Sequence, residues 1–446
     1  MKNKKQQQAW VVTVDMGYGH LRASYPLIDI ASSERLVIAN RYQGINRKDR
    51  EIWYSSRKAY EFFSRFNNIP LIGRKLFDIF DKFQSIKEFY PKRDLSKPSL
   101  QLKQTYRLVK KGWGKHLVEY LKKKDIPLIT PFFTIAYFAE AHGFKNDIYL
   151  LICDADISRA WVSLDPKKSK IKYLAPCHRV VERLKLYGVP KENIFLTGFP
   201  LPQENLGGAR LSILKKDLME RIINLDPEHH YRTKYSETIK QFLGKDVRMD
   251  AEHTHPLTLT FAVGGAGAQK NLARQILVSL KDKLQKNEIN LNLVAGSRND
   301  VYCYFHKIIC QTGLRNRIDK NLKIIFTVDK IDYFKIFNEA LRKTDILWTK
   351  PSELSFYTAL GIPIIMAPTI GSQEKYNKYW LTKVGGGMVQ EDPRYTHDWL
   401  FDWVNSGWLA EAAMSGFLDG RQFGVDNIKK VVFEGVKEPA GNYQLL

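Results

Sequence analysis

The sequence predicts an α/β protein built as two successive Rossmann-like domains. Short apolar runs bounded by Gly, Pro or Asp alternate with longer helical stretches along the 446 residues, the pattern of parallel strands covered by helices. A glycine-bearing turn follows the first apolar run of each half, Asp15-Met16-Gly17-Tyr18-Gly19-His20 and Gly264-Gly265-Ala266-Gly267-Ala268-Gln269. The length exceeds what one hydrophobic core usually organises, and 44% apolar residues suffices to fill two.

In the first half, strands are expected at 9–14, 35–39, 127–130, 148–153, 171–175 and 194–197. In the second half they are expected at 257–263, 289–295, 322–326, 345–348 and 362–366. The first domain then spans 1–202 and carries a mostly helical insert at 41–124. A polar stretch interrupted by glycines, 203–256, reads as a linker or surface elaboration. The second domain spans 257–420, and 421–446 is expected as a C-terminal helix returning to the first domain.

Charge narrows the partner. Lys plus Arg number 70 against 47 Asp plus Glu, a net +23, which favours an anionic partner and disfavours an ordinary acidic metabolic enzyme. Residues 1–200 hold 37 basic and 19 acidic side chains, so that partner is expected to meet the N-terminal half. The insert concentrates this, with 22 basic against 8 acidic residues beside Trp53, Tyr54, Phe62, Phe63, Phe66, Phe77, Phe80, Phe83, Phe89, Tyr90 and Trp113. A helical insert with a solvated basic face accounts for it, and so does a surface that meets anionic lipid. Zinc-finger spacing and an RNP-like aromatic strand are both lacking, so no nucleic acid is expected. The four cysteines, Cys153, Cys177, Cys303 and Cys310, form no CxxC pair and fit a reducing cytoplasmic compartment, the last two reading as core positions of a helix. The best apolar window, 126–139, contains two prolines and is too short to span a bilayer. The apolar run before Asp15 is too short for a signal peptide, so membrane contact is expected to be peripheral, on the cytoplasmic face.

Four loops carry candidate chemistry. Gly17 and Gly19 open the first, and His20 has an imidazole suited to a general base near neutral pH, although such a turn also serves simply to join strand to helix. The Gly264–Gln269 loop offers backbone N–H groups and a helix start to a phosphate. In Thr349-Lys350-Pro351-Ser352-Glu353-Leu354-Ser355, Ser352 is the natural N-cap and Glu353 falls in the first turn. In Gly371-Ser372-Gln373-Glu374-Lys375-Tyr376-Asn377, Gln373 and Asn377 share a helix face and suit sugar hydroxyls, while composition alone reads the segment as a solvated helix start. His229-His230 and His253-x-His255 match no zinc spacing, and no metal site is expected.

In this order the motifs resemble glycosyltransferases of the two-domain B fold, GT-B. They are nearest to monogalactosyldiacylglycerol synthases, processive diacylglycerol glucosyltransferases and the N-acetylglucosaminyltransferases of the peptidoglycan lipid intermediate. The family's D-x-G-x-G-H-x-A-S is met by DMGYGHLRAS with one extra residue after His20. Asp154, Trp161 and Gly198 with Pro200 match its mid-domain signature. GGAGAQ, Gly296-Ser297-Arg298-Asn299, Thr349-Lys350, Gly361-Ile362-Pro363 and GSQEKYN match the second domain.

The resemblance implies two domains facing a cleft, the first taking a lipid or lipid-linked acceptor and the second a nucleotide sugar, with UDP as the nucleotide. It implies transfer with inversion at the membrane surface and no cofactor or metal. By the same resemblance His20 takes the acceptor proton and Asp154 orients it or acts in its place. Gly265, Gly267, Arg298 and Lys350 meet the diphosphate, and Gln373, Glu374 and Asn377 grip the donor sugar. One departure stands out. Thr358 occupies the family's ribose-binding Glu position, while Glu353 comes five residues earlier, so either residue is a candidate for the ribose. A sugar-nucleotide epimerase or a non-catalytic relative on the same fold is the alternative.

Overall fold

The computed structural model describes residues 7–66, 86–244, 250–253, 255–265, 267, 269–369 and 371–437. The chain forms two compact units. Unit one holds the chain through Leu201, a short stretch ending at Asn377 and a stretch beginning at Phe423; unit two holds Pro202–Thr369 and Lys378–Gln422.

Unit one is built on a six-stranded parallel sheet of β1 (Trp10–Thr13), β2 (Val37–Ile38), β3 (Leu128–Thr130), β4 (Ile148–Leu151), β5 (Ile171–Ala175) and β6 (Ile194–Leu196). Their order is β2-β1-β3-β4-β5-β6. Unit two repeats the plan with β7 (Leu257–Ala262), β8 (Ile289–Gly296), β9 (Leu322–Phe326), β10 (Ile346–Thr349), β11 (Ile364–Met366) and β12 (Gly387–Val389), in the order β12-β11-β10-β7-β8-β9. All its pairings are parallel. Every residue of β4 and β7 is buried, as sheets covered on both faces require.

The expected α/β architecture is therefore present twice, and each expected strand occurs within a few residues of its predicted bounds. Strand β12 is additional. It is only three residues long, starts on a glycine and is partly exposed, so it gives no apolar run to read.

The strand order fixes where ligands can approach. In unit one the chain steps from β1 to β2 on one side, then restarts with β3 on the other. In unit two β8 and β9 lie on one side of β7, and β10 starts the other. The loops after β1 and β3, and those after β7 and β10, thus diverge at the carboxyl edge of each sheet and leave a crevice there.

The insert packs through aromatic side chains onto helix Phe133–Ala141: Trp53 and Trp113 meet edge to face at 5.0 Å, and Trp113 meets Phe138 at 4.9 Å. Tyr54 and Tyr90 stay exposed while Phe89 is buried. The side chains of Phe62, Phe63 and Phe66, and Phe77, Phe80 and Phe83 altogether, lie outside what the structure describes. Helix Leu100–Lys110 is capped by Ser99, whose side chain accepts the Leu102 N–H.

Two expectations need correction. The 203–256 stretch is an integral layer of unit two, with helices Ser212–Asn224, His230–Lys234 and Ser236–Leu243. Its buried Arg221 guanidinium donates to the carbonyls of Thr344, Leu360 and Gly361, so some of the polar residues that suggested a linker are interior hydrogen-bonding groups. Cys303 and Cys310 are exposed, because helix Asn299–Gln311 turns Val301, Phe305, Ile308 and Ile309 inward instead. Helix Gly424–Glu434 packs in unit one, where Asn427 Nδ2 donates to the Thr197 carbonyl at 2.9 Å and Lys429 pairs with Asp29 at 2.5 Å. Among the described residues no helix is long and apolar enough to cross a membrane.

Candidate functional site

In unit one the loop after β1 is pinned before it turns. The Asp15 N–H donates to Asn40 Oδ1 at 2.9 Å, and Asn40 Nδ2 returns a bond to the Asp15 carbonyl at 3.2 Å. Gly17 takes a left-handed backbone, φ +107°, that a side chain would strain. Helix Gly19–Ser24 then begins, placing Gly19 and His20 in its first turn, and Ser24 Oγ donates to the His20 carbonyl at 3.0 Å. The imidazole stands edge-on to Phe132 at 5.0 Å and tilted to Trp161 at 6.2 Å. Its Nδ1 lies 4.0 Å from Cys153 Sγ, a contact at the outer limit for sulfur. Loops after β1, β3 and β4 thus converge on this ring.

Cys153 precedes Asp154, the second predicted catalytic residue. Its carboxylate accepts a hydrogen bond from Asn377 Nδ2 at 2.9 Å, and Asn377 Oδ1 accepts the Ala155 N–H at 2.7 Å. Asp156, two residues on, is fully buried and holds the Arg183 guanidinium at 2.7 and 2.9 Å and Arg179 at 2.9 Å. Phe89 covers Arg179 at 3.7 Å. Sequence reasoning passed over Asp156. The available signal was an Asp two residues past Asp154 together with Arg179 and Arg183 spaced four apart on one helix face. Burial drives the nearby Cys177 thiol up to about 12, so it stays protonated and inert.

Asn377 therefore does not join the donor contacts expected of it. It is fully buried in unit one with both ends of its amide occupied by the Asp154 loop. Gln373 and Glu374, in the first turn of helix Ser372–Lys383, also fall in unit one and remain partly exposed.

In unit two the loops after β7 and β10 meet. A Cβ built on Gly264 would come 2.5 Å from Lys350 Cε, so only glycine lets the lysine lie over the loop. Gly267 has φ +68°, and its Cβ would crowd Val301 and Arg298. Gly265 supplies a carbonyl that Arg298 Nη1 reaches at 3.4 Å. Arg298 is also held by Asp300 through two 2.9 Å bonds, and that hydrogen bonding keeps the Asp300 carboxyl below its usual range. Arg298 and Lys350 thus both lie against the glycine loop. Gln269 Nε2 donates to the Pro368 carbonyl at 2.6 Å and ties the glycine loop to the one after β11. Ala266 and Ala268 lie outside the described residues.

The two ribose candidates separate. Thr358 is fully buried, its hydroxyl donates to the Gly386 carbonyl at 3.1 Å, and Gly386 and Gly416 press against it too closely to admit even a methyl group. Its hydroxyl and its surroundings are thus taken up by packing within unit two. Glu353 opens the 3₁₀ helix Glu353–Leu360 and is partly exposed; Ser352 holds the N-cap place without a side-chain capping bond.

Comparison with known proteins adds three findings. Residues 239–401 match a family model described as a domain of unknown function, DUF6938. The chain is 21% identical over 388 residues to a processive diacylglycerol beta-glucosyltransferase of Bacillus pumilus, covering 85% of this chain and 82% of that one. Among solved structures it is similar to MurG of Acinetobacter baumannii, with 11% identity, TM-score 0.47 and coverage of 96% and 99% of the two chains. It is similar also to S. aureus MnaA solved with UDP, with 11% identity, TM-score 0.49 and coverage of 97% and 98%.

Proposed function

We propose that this chain, which is related to the glycosyltransferases of the two-domain B fold, moves a sugar from a UDP-sugar to a lipid or lipid-linked acceptor at a membrane surface. The observation that carries the reading is the doubled site plan. Each parallel sheet ends at its crevice in a glycine turn, one bearing His20 beside the Asp154 strand end and the other bearing Lys350 over Gly264.

In unit one His20 takes the acceptor hydroxyl proton as that oxygen bonds to the anomeric carbon, with Asp154 orienting the imidazole or replacing it. The bond from the anomeric carbon to the diphosphate breaks with its electrons going to the phosphate oxygen, and attack from the opposite face inverts the centre. Lys350, the Gly265 and Gly267 backbone and the following helix start answer the charge on the leaving group, a task that falls to the chain's own groups and not to a metal ion. Glu353 is the remaining acid for the ribose, with Gln373 and Glu374 for the donor sugar. The anionic membrane is met through the basic face of the insert, and the place of action is the cytoplasmic face.

The deciding experiment incubates the protein with a panel of nucleotide sugars and membrane lipids. A new glycolipid with release of nucleoside diphosphate supports the reading, and transfer that survives a chelator supports its metal-free form. A second reading rests on the residue at position 358, a threonine where the resembling family has its ribose-binding acid. Release or epimerisation of the UDP-sugar with no acceptor consumed would establish that epimerase alternative instead.

A further inference from the structure

Asn377 is a buried side chain with a fully determined orientation. The Ala155 N–H can only donate, so the amide oxygen must face it, and the Asp154 carboxylate accepts, so the amide nitrogen must face that. Both bonds are short, at 2.7 and 2.9 Å, and the residue is fully buried. The next residue back reinforces the docking, since Tyr376 donates its hydroxyl to the Ile86 carbonyl at 3.2 Å. Two residues on in the same loop, Asp156 is locked by Arg179 and Arg183 of helix His178–Leu186. The Asp154 loop is thus held from both sides. The Asp154 carboxylate accepts from an amide that comes from a segment more than 200 residues away in the sequence.

We infer that Asn377 is a positioning residue: it fixes the carboxylate of Asp154, one residue past the cysteine that touches His20, and contributes nothing to gripping the donor sugar. The inference rests on the assignment of His20 and Asp154 proposed above. A hydrogen bond to the charged form of a carboxylate favours ionisation, so losing the Asn377 amide raises the proton affinity of Asp154 and removes one restraint on its orientation.

Two arms test it. The first needs no activity. N377D places a second carboxylate against Asp154, whereas D154N/N377D exchanges the two groups and restores one donor and one acceptor in the same places. The expected result is that N377D lowers the thermal unfolding midpoint by several degrees at pH 7, that the loss shrinks as pH falls toward 5, and that the exchanged double variant recovers most of it. An N377D loss with no recovery in D154N/N377D overturns the pairing.

The second arm measures sugar transfer. With N377A, kcat is expected to fall about 10- to 100-fold with the donor KM within twofold, and the acid limb of the pH–rate profile to move upward. In a D154N background N377A is expected to change nothing further. A raised donor KM at unchanged kcat, or effects that add fully in the double variant, overturns the positioning role. If the wild-type protein transfers no sugar in the lipid panel, the proposed function fails, and the unfolding arm still decides the pair.

Discussion

Lys350 lies over Gly264 so closely that a single added methyl group on the glycine would sit 2.5 Å from the lysine Cε. The backbone closeness and the cation are one device, because the glycine is what lets the charge reach the loop.

Lys350→Met keeps the aliphatic packing and removes the charge. It is expected to weaken UDP binding roughly 10- to 100-fold, the worth of one charged hydrogen bond to a phosphate. Gly264→Ala is expected to do much the same by pushing the flexible lysine aside, with little change in the unfolding midpoint. Calorimetric titration with UDP checks both, and undiminished binding in Lys350→Met would remove this residue from the diphosphate site.

His20→Ala is expected to lower sugar transfer by about 10²- to 10⁴-fold, the usual reach of a general base, while UDP binding stays within twofold. The measurement is glycolipid formation beside a UDP titration of the same preparation. Unchanged transfer would sink the proposed base.

Asp345 gives a prediction about stability. Its carboxyl is buried between β7 and β10, accepts the Thr258 N–H at 2.8 Å, and faces Asn224, His255 and Arg221. Burial pushes it up from 3.8 to about 6. Because the folded state then holds the proton more tightly than the unfolded chain, stability is fully present below about pH 4 and is lost as pH rises toward 6. Asp345→Asn is expected to lack this slope, so that its stability relative to wild type improves between pH 4 and 6. The change is of the order of a few kcal/mol, at about 1.4 kcal/mol for each tenfold in proton affinity. Urea unfolding at several pH values reads it; parallel curves for the two proteins would contradict it.

On helix Leu100–Lys110 the exposed cations Lys103, Arg107 and Lys110 accompany Leu100 and Leu108, which are 65% and 39% exposed. Changing the three cations to Glu is expected to abolish sedimentation with phosphatidylglycerol vesicles, at about 1 kcal/mol per basic residue near an anionic surface. The unfolding midpoint should hold, and phosphatidylcholine vesicles should bind neither protein. Equal vesicle binding before and after the change would place any membrane contact elsewhere.

Much of the fold was legible because parallel strands buried on both faces read as continuous apolar runs, such as LTLTFA and IYLL. The glycines were legible as turns that follow the first strand of each unit, because a positive φ or a close approach demands glycine. What failed was direction. Counting along the chain put Thr358 and Asn377 among the donor contacts, yet spacing tells which residues share a face and not what that face meets once the chain is folded. The three helices of 203–256 were hidden by their polar residues, since Arg221 satisfies carbonyls from segments more than 100 residues distant. Asp156 escaped notice for a related reason: its partners lie on another helix, and only the folded chain brings them together.

The helix Gly424–Glu434 is among the last described parts of the chain, yet it completes the unit that begins at the amino terminus. During synthesis the ribosome therefore delivers Pro202–Thr369 and Lys378–Gln422 of unit two before unit one can close, reversing the usual order in which early segments mature first. A nascent chain halted before Gly424 should expose the His20 half to limited proteolysis while the Lys350 half resists. Shortening this protein from its carboxyl end would consequently injure the machinery encoded nearest its start.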